Sequence, residues 1–142
     1  RRVRAQAYGA VTPDRGYGGH DEDQGQMGGI SALMAIGLFS LTGNVDQNPS
    51  YEITSPIFDR IEITLDDRYY EKGKFIIQTY HNSAGNCYIR QARLNGKPLH
   101  DFRFSHADFS KGGLLELWMG PEPAKKWGIF PKKRSPRPVN QR

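Results

Sequence analysis

From Met27 to Leu41 the chain carries no charge, and Met27, Ile30, Leu33, Met34, Leu38 and Leu41 recur at steps of three and four. That spacing places them on one face of an α-helix and predicts a helix over roughly residues 24–39. The apolar run is shorter than the roughly 18–20 residues that cross a bilayer, so the expectation is a buried core helix and no membrane span. Gly25, Gly28, Gly29 and Gly37 each weaken it by about 1 kcal/mol against Ala, so packing has to hold it. From Tyr51 the period changes to two. Residues 61–65 alternate apolar and polar, 75–80 and 88–94 are rich in β-branched and aromatic side chains, and 114–119 supply a last strand stopped by Gly120-Pro121. Asn95-Gly96 is a two-residue hairpin signal, because both turn positions favour φ > 0. Ser105-His106-Ala107-Asp108 reads as a turn or a single helical turn. One helix followed by strands, without alternation, predicts an α+β unit: a buried helix packed on an antiparallel sheet built from residues 51–120.

Charge changes this picture only at the ends. The 142 residues suit one compact domain, and the net charge is +5. Residues 1–4 hold three Arg and residues 125–142 hold seven Lys or Arg, which leaves ten basic against fifteen acidic residues in 5–124. The body is acidic. Nucleic-acid binding needs cations spread over a folded face, so no such partner is expected. Residues 129–142 form a basic tail expected to be disordered. Cys87 stands alone, which excludes an internal disulfide and a multi-thiolate metal site, and its apolar surroundings suggest a small buried hydrophobe. The chain begins with Arg1 and not Met, so a piece of something longer is expected, in which no signal peptide could show.

The acidic turn Asp21-Glu22-Asp23 is the place for chemistry. Structurally, Asp23 with Gln26 three residues on fits a helix N-cap. Functionally, alternate residues of an extended turn put Asp21 and Asp23 on one side, at a helix N-terminus that stabilises anions. Ionised carboxylates suit a general base or a divalent-cation site. The four His residues show no metal spacing, and Gly16-Tyr17-Gly18-Gly19 lacks the strand and the Lys of a phosphate loop. Tyr80, Trp118 and Trp127 could stack on a sugar, although such aromatics more often sit in a core.

The order of motifs resembles glycoside hydrolase family 92. Asp21-Glu22-Asp23-Gln24-Gly25-Gln26-Met27 and the helix ending Ala35-Ile36-Gly37-Leu38-Phe39 are similar to its acidic catalytic segment. Ser55-Pro56-Ile57-Phe58-Asp59, Tyr88-Ile89-Arg90-Gln91-Ala92-Arg93-Leu94-Asn95-Gly96-Lys97-Pro98-Leu99, Ser105-His106-Ala107-Asp108-Phe109 and residues 112–121 follow in family order. The likeness runs from about residue 5 to about residue 128. Gly28-Gly29-Ile30-Ser31 stands where many members have Ser-Ala-Trp-Tyr, which removes bulk beside the site.

The resemblance implies the C-terminal portion of a larger (α/α)-barrel-type glycosidase. Residues 1–26 would end its helical catalytic domain, 27–128 would be the helix plus sheet, and 129–142 the tail. It implies exo-hydrolysis of α-linked mannose with inversion, assisted by calcium, on mannose-containing glycans outside the cytoplasm, in a secreted or periplasmic enzyme. Asp21 and Asp23 match the candidate bases. The general-acid Glu lies in the upstream remainder, so the isolated fragment is expected to be inactive. Two other readings stand beside this one. A free-standing carbohydrate-binding module would need an exposed aromatic platform on the sheet, and a structural interaction domain would use the acidic turn merely as a cap.

Overall fold

The computed structural model describes residues 1–8, 25–70 and 73–128, except for the side chains of Tyr8, Gln26 and Met27. The tail 129–142 and the acidic turn lie outside the described residues. A π-helical turn, Arg4–Tyr8, is followed by α1 (Gln26–Ile36), β1 (Leu38–Phe39), β2 (Ser50–Ile53), β3 (Arg60–Leu65), β4 (Gly73–Tyr80), β5 (Tyr88–Leu94), β6 (Lys97–Leu99), β7 (Arg103–Ser105), α2 (His106–Ser110) and β8 (Gly113–Gly120). The molecule is mostly sheet with few helices. The strands form two sheets, β1-β2-β7 and β3-β4-β8-β5-β6.

The larger sheet is mixed, and this corrects the antiparallel expectation. β4 and β8 run parallel, with Phe75 opposite Gly113 and Tyr80 opposite Trp118, while the remaining pairs are antiparallel. The chain leaves β4, passes through the β5–β6 hairpin, β7 and α2, and returns beside β4 in the same direction. Alternation along a strand reports which face is buried and carries no information on the direction of its neighbour.

Alternation does fix the inward face. Phe75 and Ile77 on β4 and Leu115, Leu117 and Met119 on β8 are buried, and their intervening neighbours turn outward. On β5 the rhythm breaks. Ile89 and Ala92 both point inward because a β-bulge between Ile89 and Gln91 inserts one extra residue. The small sheet closes on the same core. Phe104 of β7 stacks on Phe75 with centroids 5.4 Å apart and ring planes 2° apart, and Phe109 of α2 stands 4.8 Å from Phe75.

The helix departs from expectation in extent, cap and burial. It starts after Gly25, not at Asp23, and Gly25 sits at φ 74° without a side-chain cap bond. It stops at Gly37, so Leu38 enters a strand at 2% exposure and Leu41 lies 76% exposed. Ala35, near the C-terminal end of α1, is buried, whereas Ile30 and Met34 are half-buried, Leu33 is 36% exposed and Gly28, Gly29 and Ala32 face outward. Cys87, expected in a buried strand, is half-buried in the loop before β5.

The predicted hairpin is present, with Asn95 at φ 50° and Gly96 at φ 76°. Asn95 does more than turn the chain. Its backbone N–H donates to Leu114 O and its Oδ1 accepts from the Leu114 N–H, both at 2.8 Å, tying the turn to β8. Asn95→Ala is expected to cost about 1–2 kcal/mol, from a lost hydrogen bond and from a Cβ forced into the left-handed region without local support. Chemical denaturation should show a lower midpoint at unchanged slope.

Candidate active site

Asp21 and Asp23 lie outside the described residues, so the structure neither brings them together nor separates them. Arg1, ahead of the undescribed stretch, and Ala35 and Gly37, at the far end of α1, all meet the same short stretch of backbone, residues 54–57. On the C-terminal side, the Thr54 N–H donates to Gly37 O at 2.8 Å and the Ile57 N–H donates to Ala35 O at 3.0 Å. Gly37 sits at φ 82°, and a Cβ there would meet Thr54 O at 2.7 Å and Pro56 Cδ at 2.9 Å. No other residue type fits that approach.

On the N-terminal side, the Arg1 Nε–H donates to Pro56 O at 3.0 Å, and Nη2 also reaches that oxygen. The same guanidinium donates to Ser83 O and to Asn82 Oδ1 in the β4–β5 loop. Burial holds the pKa of Arg1 below its ordinary value, with Cys87 and Asp59 pulling it back up. The group stays cationic at neutral pH. Pro56 is itself fully buried, and its ring restricts the backbone on either side.

At the start of α1 the first backbone N–H groups have no intrahelical acceptor, and Gly25 has no side chain to supply one. A carboxylate brought to that end would be stabilised as an anion. That environment suits a base.

The other candidates resolve into structural roles. His106 Nδ1 lies 2.9 Å from the Tyr51 hydroxyl, within an aromatic cluster that includes Phe104, Phe109 and Tyr70. Burial raises the Tyr51 pKa, with a smaller contribution from Tyr70. Sequence reasoning missed Glu52, a carboxylate only 6% exposed. It accepts from the Leu41 N–H at 2.9 Å and lies 3.9 Å from Arg103 Nε, so it is satisfied within the fold. Its apolar neighbours Tyr51 and Ile53 were the signal.

Trp118 forms a layered stack on the outer face of the larger sheet. Tyr80 lies 4.9 Å away on one side, and the Arg93 guanidinium stands 5.1 Å from the indole ring. The Tyr80 hydroxyl donates to Glu116 Oε1 at 2.9 Å, which raises the pKa of Tyr80. Trp127 is half-buried beside a groove of about 660 Å³, and its indole N–H donates to Leu99 O at 2.8 Å. Among the described residues no three His, Cys, Asp or Glu side chains gather in a group that could hold a metal ion. Among them, too, no helix is long and apolar enough to cross a membrane.

Residues 1–121 match the family model described as the glycosyl hydrolase family 92 catalytic domain. The chain belongs to glycosyl hydrolase family 92. A family 92 inverting mannosidase of Bacteroides thetaiotaomicron is 32% identical, with a TM-score of 0.68 over 82% of this chain and 15% of its own. The family 92 glycosyl hydrolase ccman5 is 27% identical, with a TM-score of 0.72 over 84% of this chain and 14% of that one. An uncharacterized secreted glycosidase of Arthroderma benhamiae is 34% identical over 111 residues, which are 76% of this chain and 13% of that protein. This family 92 chain therefore spans about one seventh of the length of these relatives.

Proposed function

We propose that this chain supplies the acidic catalytic segment and the sheet-bearing part of an exo-α-mannosidase that works with inversion. The observation that carries the reading is the match of residues 1–121 to the family catalytic domain, joined to the likeness to an inverting mannosidase. Inversion needs a base that takes a proton from water as the water oxygen attacks the anomeric carbon. It also needs an acid that protonates the departing glycosidic oxygen from the other side. One of Asp21 and Asp23, which precede α1 in the chain, is the base, and the acid is a Glu in the remainder of the protein.

The outward side of α1, with Gly28, Gly29, Ala32 and Leu33, packs against that remainder, where the (α/α) helices of the catalytic domain lie. Calcium would hold mannose hydroxyls, and its ligands come chiefly from outside the described residues. The enzyme acts outside the cytoplasm, a reading supported by the name of the secreted relative. A carbohydrate-binding module would need an exposed aromatic platform, whereas Trp118 is half-buried, stacked on Tyr80 and with the Arg93 guanidinium over its ring.

The test compares this chain with the full-length protein on an α-mannobiose. The full-length protein should release mannose and lose activity to a calcium chelator, with recovery on adding calcium. The 142-residue chain should release none, because both the acid and the sugar pocket are missing. Calcium-dependent turnover by the short chain would overturn the division of labour proposed here.

A further inference from the structure

We propose that the groove between the β5–β6 hairpin and residues 121–128 is a binding site for an acidic saccharide. It goes beyond hydrolysis and stands whichever residue is the base. After β8 the chain turns back across the hairpin and is fixed there at both ends. At the near end the Arg90 stem lies across Gly120, where a Cβ would meet its Cγ at 2.9 Å. The same side chain donates from Nη1 to Glu122 O at 2.8 Å and to Pro123 O at 3.0 Å. At the far end the Trp127 indole N–H donates to Leu99 O at 2.8 Å, and the Gly128 N–H donates to His100 O at 3.1 Å. Between these two anchor points lies the groove, about 660 Å³ and lined from both sides. That volume falls within the roughly 300–1,000 Å³ of small-molecule sites.

The lining selects the ligand. Pro98, Leu99 and the half-buried Trp127 offer an apolar wall suited to the C–H face of a sugar ring, and the bond to Leu99 fixes the indole in place. Around that wall stand Arg90, Lys125 and Lys126 against a single carboxylate, Glu122. This cationic cluster sits on a body with fifteen acidic and ten basic residues over 5–124. Among the described residues the two Lys make no hydrogen bond or ion pair, and Arg90 spends only Nη1 on carbonyls. Their remaining N–H groups can donate to a phosphate, sulfate or carboxylate on the sugar, as charge-assisted bonds. Gln91 and His100 supply further polar groups for hydroxyls. A neutral sugar gains nothing from the three cations. Residues 129–142, with five Lys or Arg and no acid, are repelled by them and do not fit as the occupant.

The experiment titrates the full-length protein calorimetrically with glucose 6-phosphate, glucuronic acid, glucose and inorganic phosphate. Gluco sugars keep a mannose site out of the measurement. Glucose 6-phosphate or glucuronic acid should bind at least about 10-fold more tightly than either glucose or inorganic phosphate, and the tighter of the two tells phosphate from carboxylate recognition. Raising NaCl from about 50 to about 500 mM should weaken that binding. The double variant Lys125→Gln, Lys126→Gln should lose about 10-fold in affinity for the acidic sugar, with its thermal midpoint and its release of mannose from α-mannobiose unchanged. The double variant Lys125→Arg, Lys126→Arg keeps the charge and should stay within about twofold of the parent.

Equal binding of glucose and both acidic sugars overturns the proposal, and so does affinity unchanged by the Gln substitutions. Inorganic phosphate binding as tightly as glucose 6-phosphate would make the groove a bare anion site and no saccharide site. A lowered midpoint in the Gln variant without any binding to the parent would mean that the remainder of the protein fills the groove. If the unsubstituted protein releases no mannose, the mannosidase reading falls, and the titrations still decide the groove.

Discussion

Asn in place of Asp21 or of Asp23, made in the full-length protein, is expected to cut mannoside turnover by about 10²–10⁴-fold for whichever residue is the base. Asn keeps the size and removes the proton-accepting charge, so the fold and the thermal midpoint should be retained. The larger loss marks the base. The smaller marks a carboxylate that holds the water or substrate in place. The described structure resumes at Gly25, two residues after Asp23, and among the described residues the α1 start has no side-chain cap. A carboxylate near that end is favoured as an anion and can accept a proton from water. Mannose release by the two single variants and the double variant is the measurement. Full activity in the double variant would show that the base lies elsewhere.

Phe75→Ala is expected to remove about 3–5 kcal/mol of stability, the range for deleting a fully buried aromatic side chain. Phe75 has 0% exposure and lies where the two sheets and α2 meet. Its ring is stacked on Phe104 and packed against Phe109, so truncation opens a cavity lined by three elements at once. β4 and β7 are each held within their own sheet by hydrogen bonds, β4 to β8 and β7 to β2, and cannot simply collapse inward. Phe75→Leu keeps most of the volume and should cost about 1.5 kcal/mol or less. Urea denaturation of both variants checks this. A loss below about 1 kcal/mol for Phe75→Ala would mean that the two sheets do not share a core.

The strands at 60–65, 73–80, 88–94 and 113–120 were legible because each is long enough for two or three repeats of burial on one face. The Asn95-Gly96 turn was legible because its backbone angles are open to few residue types. The helical turn at Ser105 could be read for a similar local reason, since the Ser105 hydroxyl accepts from the Asp108 N–H at 3.1 Å. Acidic residues before an apolar helical run were enough to single out Asp21 and Asp23, and the order of motifs was enough to suggest the family.

The three-stranded sheet left no such trace. Its strands are two to four residues long, too short for a period to show. The end of α1 was misplaced because apolar spacing continues past it to Leu38 and Leu41, whereas the helix stops where Gly37 meets Thr54 and Pro56. The parallel pairing of β4 with β8 brings together strands about forty residues apart in the chain, Phe75 opposite Gly113. The contact of Arg1 with Pro56 is hidden for the same reason, since the two are 55 positions apart. Composition and period report how each residue meets solvent within its own few neighbours. Direction of pairing, close backbone approach and a guanidinium shared among distant carbonyls depend on which remote segments arrive together, and that is a property of the folded chain alone.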